Sequence, residues 1–356
     1  MQQVTTNKQS CNLTQPKASP TCQKGGIFTS GKESKGLCGN VYEQYGDKQS
    51  CNLTQPEEKI TLSIKGRFAP SPTGYLHKGS LVAAVGSWLA AKSVGGDWLL
   101  RIDDLDKQRC RPEFESDILR TLERFSLYWD GSISRQSEHE EHYQAAFEQL
   151  QKLNAVYPCG CSRTEISRLA TAPHPGEETP YPGYCRNGLS PDKKARCWRV
   201  RTDGQVVRFY DRSHGEIVTK LDASGDFVIK RVEGYFAYQL AVVVDDHLTG
   251  VNQVVRGSDL LESTPRQILL HKLLGLEPPE YQHLPLVTAA DGSKLSKRDN
   301  LISATCGLQK GEESRLISWA LGFLGHNLPA ELACSPCKEQ LDWACSTTKT
   351  YCNIII

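Results

Sequence analysis

The sequence contains no run of about 18 or more apolar residues, the length a helix needs to cross a bilayer, so no transmembrane helix and no membrane partner is expected. Its opening residues, Met1-Gln2-Gln3-Val4-Thr5-Thr6, lack the apolar stretch of a secretory signal, which points to the cytoplasm. An excess of charge of either sign is also missing. The 42 Lys and Arg against 41 Asp and Glu leave a formal net charge of +1, so any contact with RNA must come from local basic patches. Clusters of large apolar side chains are scarce in residues 1 to 58, which are rich in Gln, Thr, Ser, Lys and Gly. Such a leader buries too little surface to offset chain entropy and is expected to be disordered.

Cysteine is plentiful, at 14 residues, but its distribution argues against a disulfide scaffold. Cys11, Cys22, Cys38 and Cys51 lie in the leader, and Cys334, Cys337, Cys345 and Cys352 near the end. With 356 residues there is length for two or three domains and a sizeable core, which needs no covalent staples. The leader holds one repeat, Lys8-Gln9-Ser10-Cys11-Asn12-Leu13-Thr14-Gln15-Pro16, which recurs unchanged as Lys48 to Pro56. Two copies are too few for a solenoid, and no function follows from them.

The remainder is organised around Arg67-Phe68-Ala69-Pro70-Ser71-Pro72-Thr73-Gly74-Tyr75-Leu76-His77-Lys78-Gly79-Ser80. A strand over Thr61 to Ile64 is expected before it, and an apolar helix over Leu81 to Ala91 after it. A strand, a rigid turn and a helix N-terminus make a site for anions, because the free N–H groups and the helix dipole point at it. Arg67 can fork onto a carboxylate and His77 can donate to a phosphate. Further along, Trp98 to Ile102 reads as a strand ending in Asp103, Pro112 opens a helix, and Ser137 to Glu140 resembles a capping box. Alternating β and α elements predict an α/β fold with a doubly wound parallel sheet, in which ligands bind beyond the carboxyl ends of the strands.

Cys159-Gly160-Cys161 and the later Cys185 offer three soft ligands, one short of a tetrahedral zinc site. By spacing, the fourth could be Tyr181, Tyr184, His174 or Cys197, and free thiols are the alternative. Two alternating runs within Ala195 to Tyr210 flank Asp203-Gly204 and predict a hairpin, read as a purely structural ribbon. Phe227 to Arg231 reads as a strand. Phe236 to Val244 is an apolar helix running into Asp245-Asp246-His247, a cluster that suits a metal less well than a solvated helix end. Arg256 stands at another strand end, with Ser258 or Asp259 as cap of the helix Leu260 to Leu274. His283 to Val287 is a strand leading to Asp291-Gly292-Ser293-Lys294-Leu295-Ser296-Lys297-Arg298, a lysine-bearing Gly-Ser loop. A helix over Glu313 to Leu324 follows, and Cys334 to Cys337 offers only a weak second metal motif.

His77-Lys78-Gly79-Ser80 and Lys294 to Arg298 resemble the HIGH and KMSKS signatures of class I aminoacyl-tRNA synthetases. Arg67 to Gly74 is worded like the glutamyl branch of that class. Within it, the chain is similar to the short glutamyl-queuosine tRNA(Asp) synthetase family, with the likeness running from about Lys65 to about Ala344. A full glutamyl synthetase needs a further anticodon-reading domain, and the roughly 58 residues past Arg298 cannot build one of typical size. The resemblance implies a Rossmann-like catalytic domain with a small zinc-binding, acceptor-type insert and a short helical C-terminal segment. The expected divisions are a leader 1–58, first catalytic half 59–155, zinc and hairpin insert 156–226, second half with the lysine loop 227–300, and a stem-like segment 301–356.

The resemblance also implies residue roles. Glutamate contacts fall on Arg67, Phe68, Ala69, Pro70, Ser71, Asp103 (where the family has Glu), Tyr238 and Arg256. ATP contacts fall on His77, Gly79, Ser80 and Lys297, with His77, Lys294 and Lys297 catalytic. One Zn²⁺ is implied on Cys159, Cys161, Tyr181 and Cys185, and Mg²⁺ accompanies ATP. The implied activity is tRNA-independent glutamate activation with ATP, then transfer of the glutamyl group to queuosine in tRNA(Asp), by a monomer. Physical reasoning on the same residues agrees. Two guanidiniums and a strand-end carboxylate suit an acidic α-amino acid, and a buried Arg disfavours an amide in place of a carboxylate. A truncated synthetase charging a tRNA 3′ end, and a non-catalytic tRNA or amino-acid binder, are the competing readings.

Overall fold

The computed structural model describes residues 63–162, 164–166, 180–288, 301–303, 308–309 and 311–348. The repeat-bearing leader, His174, Lys294, Lys297 and Cys352 lie outside the described residues.

Strand β1 (Lys65–Phe68) is displaced from the expected 61–64, so Arg67 sits within the strand instead of beyond it. The prolines of the next turn end the pairing, since Pro has no N–H to donate. The short β2 (Leu76–His77) then leads into helix α1 (Lys78–Lys92). This helix is apolar all round because it is covered on all sides. It packs on β1, on strand β3 (Asp97–Ile102) and, from the second half of the fold, on strand β10 (Gln253–Gly257). Helix α2 (Pro112–Arg124) begins at its proline as expected, and β4 (Ser134–Arg135) follows. The expected capping box at Ser137 does not form. Ser137 instead gives its N–H and hydroxyl to Asp104, at 2.8 and 2.6 Å, and helix α3 (Glu140–Lys152) starts after a 3₁₀ turn over Gln136–Glu138.

Strands β1, β3 and β4 are parallel, in the order β1-β3-β4. On the other side of β1 lies β10, tied to it where Asn252 accepts from the Lys65 N–H at 2.8 Å and donates its own N–H to the Lys65 carbonyl at 3.1 Å. Strand β11 (Glu280–Leu284) pairs parallel with β10. The strand succession is that of a doubly wound sheet whose order reverses beside β1, where such sheets bind ligands.

Between the halves, β5 (Val156–Cys159), β6 (Cys197–Val200) and β9 (Val228–Arg231) make a separate antiparallel sheet. The hairpin expected around Asp203-Gly204 is absent. Strand β7 (Val206–Asp211) pairs with β8 (Gly215–Lys220), while β6 pairs with β5 and β9. Gly204, at φ +67°, turns the chain from one sheet to the other. The β7–β8 ribbon joins the parallel sheet through Asp211 and Tyr281.

Helix α4 (Tyr238–Leu248) runs on past Val244 to include Asp245, Asp246 and His247. After β10 comes a 3₁₀ turn, Ser258–Ser263, so α5 (Thr264–Leu274) begins later than expected, with Pro265 near its start. Strand β12 (Leu301–Ile302) returns antiparallel to β2, pairing Leu301 with His77. Helix α6 (Glu312–Phe323) lies within one residue of expectation at each end, and α7 (Cys337–Thr348), unforeseen, packs with it against α1.

Candidate active site

The turn between β1 and α1 opens on a cleft of about 530 Å³. Arg67, Phe68, Ala69, Pro70, Ser71, His77, Gly79 and Ser80 form one wall. Tyr238 from α4 and Arg256 from β10 form the other, with residues just after β11 at the rim. Ten residues singled out from the sequence thus share one cavity. Asp103 does not line it, and Lys294 and Lys297 fall outside the described residues. The β2–β12 pairing nevertheless returns the chain to His77 only three residues beyond Arg298.

His77 is the N-cap of α1. Its Nδ1 accepts the Ser80 N–H at 3.1 Å, which puts the proton of the neutral ring on Nε2. Gly79 permits this, because a Cβ there would stand 3.1 Å from two imidazole atoms. The helix N-terminus and imidazole together make the anion-binding end of the cleft.

Behind the opposite end lies a buried charge cluster. Arg67 meets Asp246 through Nε and Nη2, both at 3.3 Å. Arg101 reaches Asp246 at 2.6 Å and Asp103 at 2.7 Å, and lies 3.7 Å from Asp245. Asp245 also accepts from Tyr143 (2.7 Å) and Gln136 (2.8 Å) and meets His139 at 2.8 Å. Burial pushes the Asp103 carboxyl pKa up, more than Arg101 draws it down. Burial works the same way on Asp246, but Arg67 and Arg101 outweigh it and hold that carboxyl below its ordinary value. Two guanidiniums against three carboxylates leave the cluster one positive charge short, which suits a nearby ammonium. Asp245 and Asp246 are therefore neither a solvated helix end nor a metal site; they anchor the arginines. The available signal was their place on the continuing buried face of an apolar helix.

Arg256 is buried among neutral acceptors. Nε donates to His283 at 3.1 Å, Nη2 to Thr264 at 2.7 Å and Gln267 at 2.8 Å, and Nη1 to the Tyr238 hydroxyl at 3.3 Å. Among the described residues no carboxylate pairs with it, so its charge is left for a ligand.

The thiols of Cys159, Cys161 and Cys185 converge within 4.8 Å of one another, all buried. Among the described residues this is the only converging group of three metal-ligating side chains. A tetrahedron of Zn–S bonds of about 2.3 Å has edges of about 3.8 Å, and the Cys161 and Cys185 sulfurs are 3.7 Å apart. The Tyr181 hydroxyl is 3.5 Å from the Cys161 sulfur. Cys197 is not part of the triad; its thiol points to the Cys159 carbonyl at 3.9 Å. Tyr184 is 55% exposed, away from the thiols. Hydrogen bonding from Cys197, chiefly, holds Cys159 below the ordinary thiol range, toward the thiolate that binds metal. The donor set fits zinc.

A second, larger cavity of about 1200 Å³ lies between this knuckle and the start of α4. Lys194, Arg196, Arg199, Arg231 and Arg266 line it, and Tyr238 lines both cavities.

The family model for the catalytic domain of class I tRNA synthetases (E and Q) matches residues 63–324. A glutamyl-Q tRNA(Asp) synthetase of Geobacter sulfurreducens is 55% identical over 282 residues, 78% of this chain and 90% of that protein. A protein of the same name from Thiobacillus denitrificans is 50% identical over 281 residues, 78% of this chain and 91% of its own. Among solved structures, a glutamate tRNA ligase from Elizabethkingia meningosepticum in complex with its amino acid has a TM-score of 0.64 at 26% identity. That match covers 78% of this chain and 64% of the ligase, so the chain spans less than two thirds of that protein's length.

Proposed function

We propose that this chain, which belongs to the catalytic-domain family of class I tRNA synthetases (E and Q), activates L-glutamate with ATP and transfers the glutamyl group to queuosine at the wobble position of tRNA(Asp). The observation that carries the glutamate half is the polarity of the cleft. A buried arginine without a carboxylate partner among the described residues stands at one end, and a capped helix N-terminus at the other. The queuosine half rests on the likeness to proteins named for that reaction, across about nine tenths of their length.

The substrate side-chain carboxylate would meet Arg256 and Tyr238. Its ammonium would face the charge-deficient cluster of Asp103, Asp245 and Asp246, with Asp103 acting from behind the cleft wall. The α-carboxylate would then lie against the triphosphate held by His77, Gly79 and Ser80. A carboxylate oxygen attacks the α-phosphorus in line, the bond to the bridging oxygen breaks, and pyrophosphate leaves with its electron pair. Lys294 and Lys297 are assigned to the charge that develops on it. Mg²⁺ would arrive with the nucleotide. The chain's own task is position and electrostatics.

The basic cavity that shares Tyr238 with the cleft is the natural acceptor side. Its arginines would take RNA phosphates while the nucleoside reaches the adenylate. Zinc, held by Cys159, Cys161, Cys185 and Tyr181, would cross-link the knuckle that forms this wall.

Pyrophosphate exchange driven by glutamate and ATP, without tRNA, tests the activation step. Wild type should exchange, and Arg256→Ala should lose on the order of 10²-fold in kcat/KM for glutamate. No exchange by wild type would favour a non-catalytic binder. Equal rates in the variant would refute the assignment of Arg256. The mass of nuclease-digested product separates a queuosine adduct from an ester on the terminal ribose of a charged tRNA.

A further inference from the structure

Asp211 and His283 touch neither the cleft nor the charge cluster, yet both are wholly buried. The imidazole is held between a carboxylate and a guanidinium. Its Nδ1 is 2.6 Å from Asp211 Oδ2, and its Nε2 is 3.1 Å from Arg256 Nε and 3.0 Å from Thr264 Oγ1. A guanidinium only donates, so Nε2 accepts and the ring proton sits on Nδ1, donated to Asp211. Asp211 is fully engaged: its Oδ1 accepts the N–H groups of Ser213, His214 and His283, at 3.0, 3.1 and 3.3 Å. His283 stands on β11 opposite Arg256 on β10, and Asp211 ends β7 where the ribbon turns. A single file of hydrogen bonds therefore runs from the ribbon, across the sheet, to the arginine of the cleft.

The donors of Arg256 can be counted. Of its five N–H groups, one goes to His283, two to Thr264 and Gln267, and one to the Tyr238 hydroxyl. One Nη1–H remains. Tyr238, which accepts from Nη1, keeps its own proton to give. The arginine end of the cleft thus presents one N–H beside one O–H, a pattern for the two oxygens of a carboxylate. An amide would set its NH₂ against one of them and leave a buried donor unpaired.

The geometry points to Asp211 and His283 as a positioning pair that determines specificity for the carboxylate end of the amino acid. This rests on the reading that the cleft takes glutamate. Asp211 fixes the tautomer, the tautomer fixes Nε2 as acceptor, and that acceptor keeps Nε and Nη2 turned inward and Nη1 outward. The β7–β8 ribbon carries the first link.

The test is tRNA-free pyrophosphate exchange by the full chain, with separate KM values for glutamate and ATP and with glutamine as competitor substrate. His283→Leu should raise KM for glutamate on the order of tenfold or more, the worth of a charge-assisted hydrogen bond. It should leave KM for ATP within about twofold, and narrow the preference for glutamate over glutamine by a similar factor. His283→Gln, whose Oε1 can accept from Arg256 Nε, should recover part of the loss. Asp211→Asn keeps every volume but can donate to Nδ1 and force the proton onto Nε2, facing the guanidinium, so it should shift KM for glutamate the same way. The last two variants are close in shape to the native residues and carry the readout if His283→Leu does not fold. Unchanged KM for glutamate, or a parallel rise for ATP, would overturn the pair while leaving glutamate activation intact. Absence of glutamate-dependent exchange in wild type would remove both.

Discussion

Asp246 shows how much one buried side chain can hold. It meets Arg67 from β1 and Arg101 from β3, so a single helix residue ties two strands of the parallel sheet. Removing it takes from the buried Arg67 the carboxylate it meets and from Arg101 its shortest contact, and breaking such a pair from one side costs about 3–5 kcal/mol. Asp246→Ala should therefore lower the unfolding free energy from denaturant titration by that order and abolish glutamate binding by isothermal titration, because Arg67 lines the cleft. A variant as stable as wild type would show that the cluster relaxes without it. From the sequence alone the positions of Arg67, His77, Tyr238 and Arg256 were legible, because each stands at a strand end or helix start where ligands gather. The anchoring role of Asp245 and Asp246 was not. An acidic pair at the end of an apolar helix looks the same whether it faces solvent or a guanidinium from a strand more than 140 positions earlier. Asp103 was placed at the correct strand end, but nothing local showed that Arg101, two residues before it, would occupy its carboxylate.

At the scale of elements, the knuckle depends on contacts from opposite ends of the middle segment. Tyr181 pairs with Gly225, where any Cβ would lie 2.5 Å from the tyrosine backbone nitrogen. Next to it, Asp226 binds Arg186 at 2.6 and 2.8 Å and Thr202 at 2.9 Å, tying the Cys185 loop to the small sheet. The protein is expected to carry one zinc per chain by elemental analysis. Cys161→Ser should release it, and prolonged chelation should lower the melting temperature, since a structural zinc contributes its binding energy to folding. Tyr181→Phe should weaken zinc binding without abolishing it, because three thiolates remain. A metal-free protein with an unchanged melt would mean that the thiols simply pack. The Cys-x-Cys spacing made the three sulfurs legible. The misassigned hairpin shows the limit. Asp203-Gly204 is a good tight turn, and both flanking runs alternate, yet each strand pairs elsewhere. Local turn chemistry sets where the chain bends, whereas partners are chosen by which sheet has an open edge.

Across the whole molecule, the alternation of strands and helices carried the parallel sheet, because βαβ crossovers admit few arrangements. Helix α7 is not legible locally, because its buried face is covered by α6 and by α1, the latter more than 240 positions earlier. The same long-range packing sets the response to acid. His271, on α5, is 2% exposed, and its Nδ1 has no hydrogen-bond partner among the described residues. Burial lowers its pKa from 6.5 to about 4, with Asp246 opposing only in part. His283 is lowered too, by burial and then by Arg256. A histidine whose folded pKa is depressed contributes stability that is fully present above its unfolded value near 6.5, and loses it as pH falls toward the folded value. Asp211, Asp226 and Asp246, all held below the ordinary carboxyl value, add a second loss that begins only below about pH 4. Asp103, shifted upward by burial, binds its proton in the folded state above the ordinary carboxyl value, so it acts in the opposite sense and softens the upper stage. Urea midpoints should thus be flat from pH 8 to about 6.5 and decline in two stages below it, with His271 alone worth up to about 3 kcal/mol by pH 4. His271→Leu should make the upper stage shallower, leaving the part that belongs to His283 and to the half-buried His326, and should not change the lower one. An upper stage as steep in the variant as in wild type would mean that another group takes up the proton.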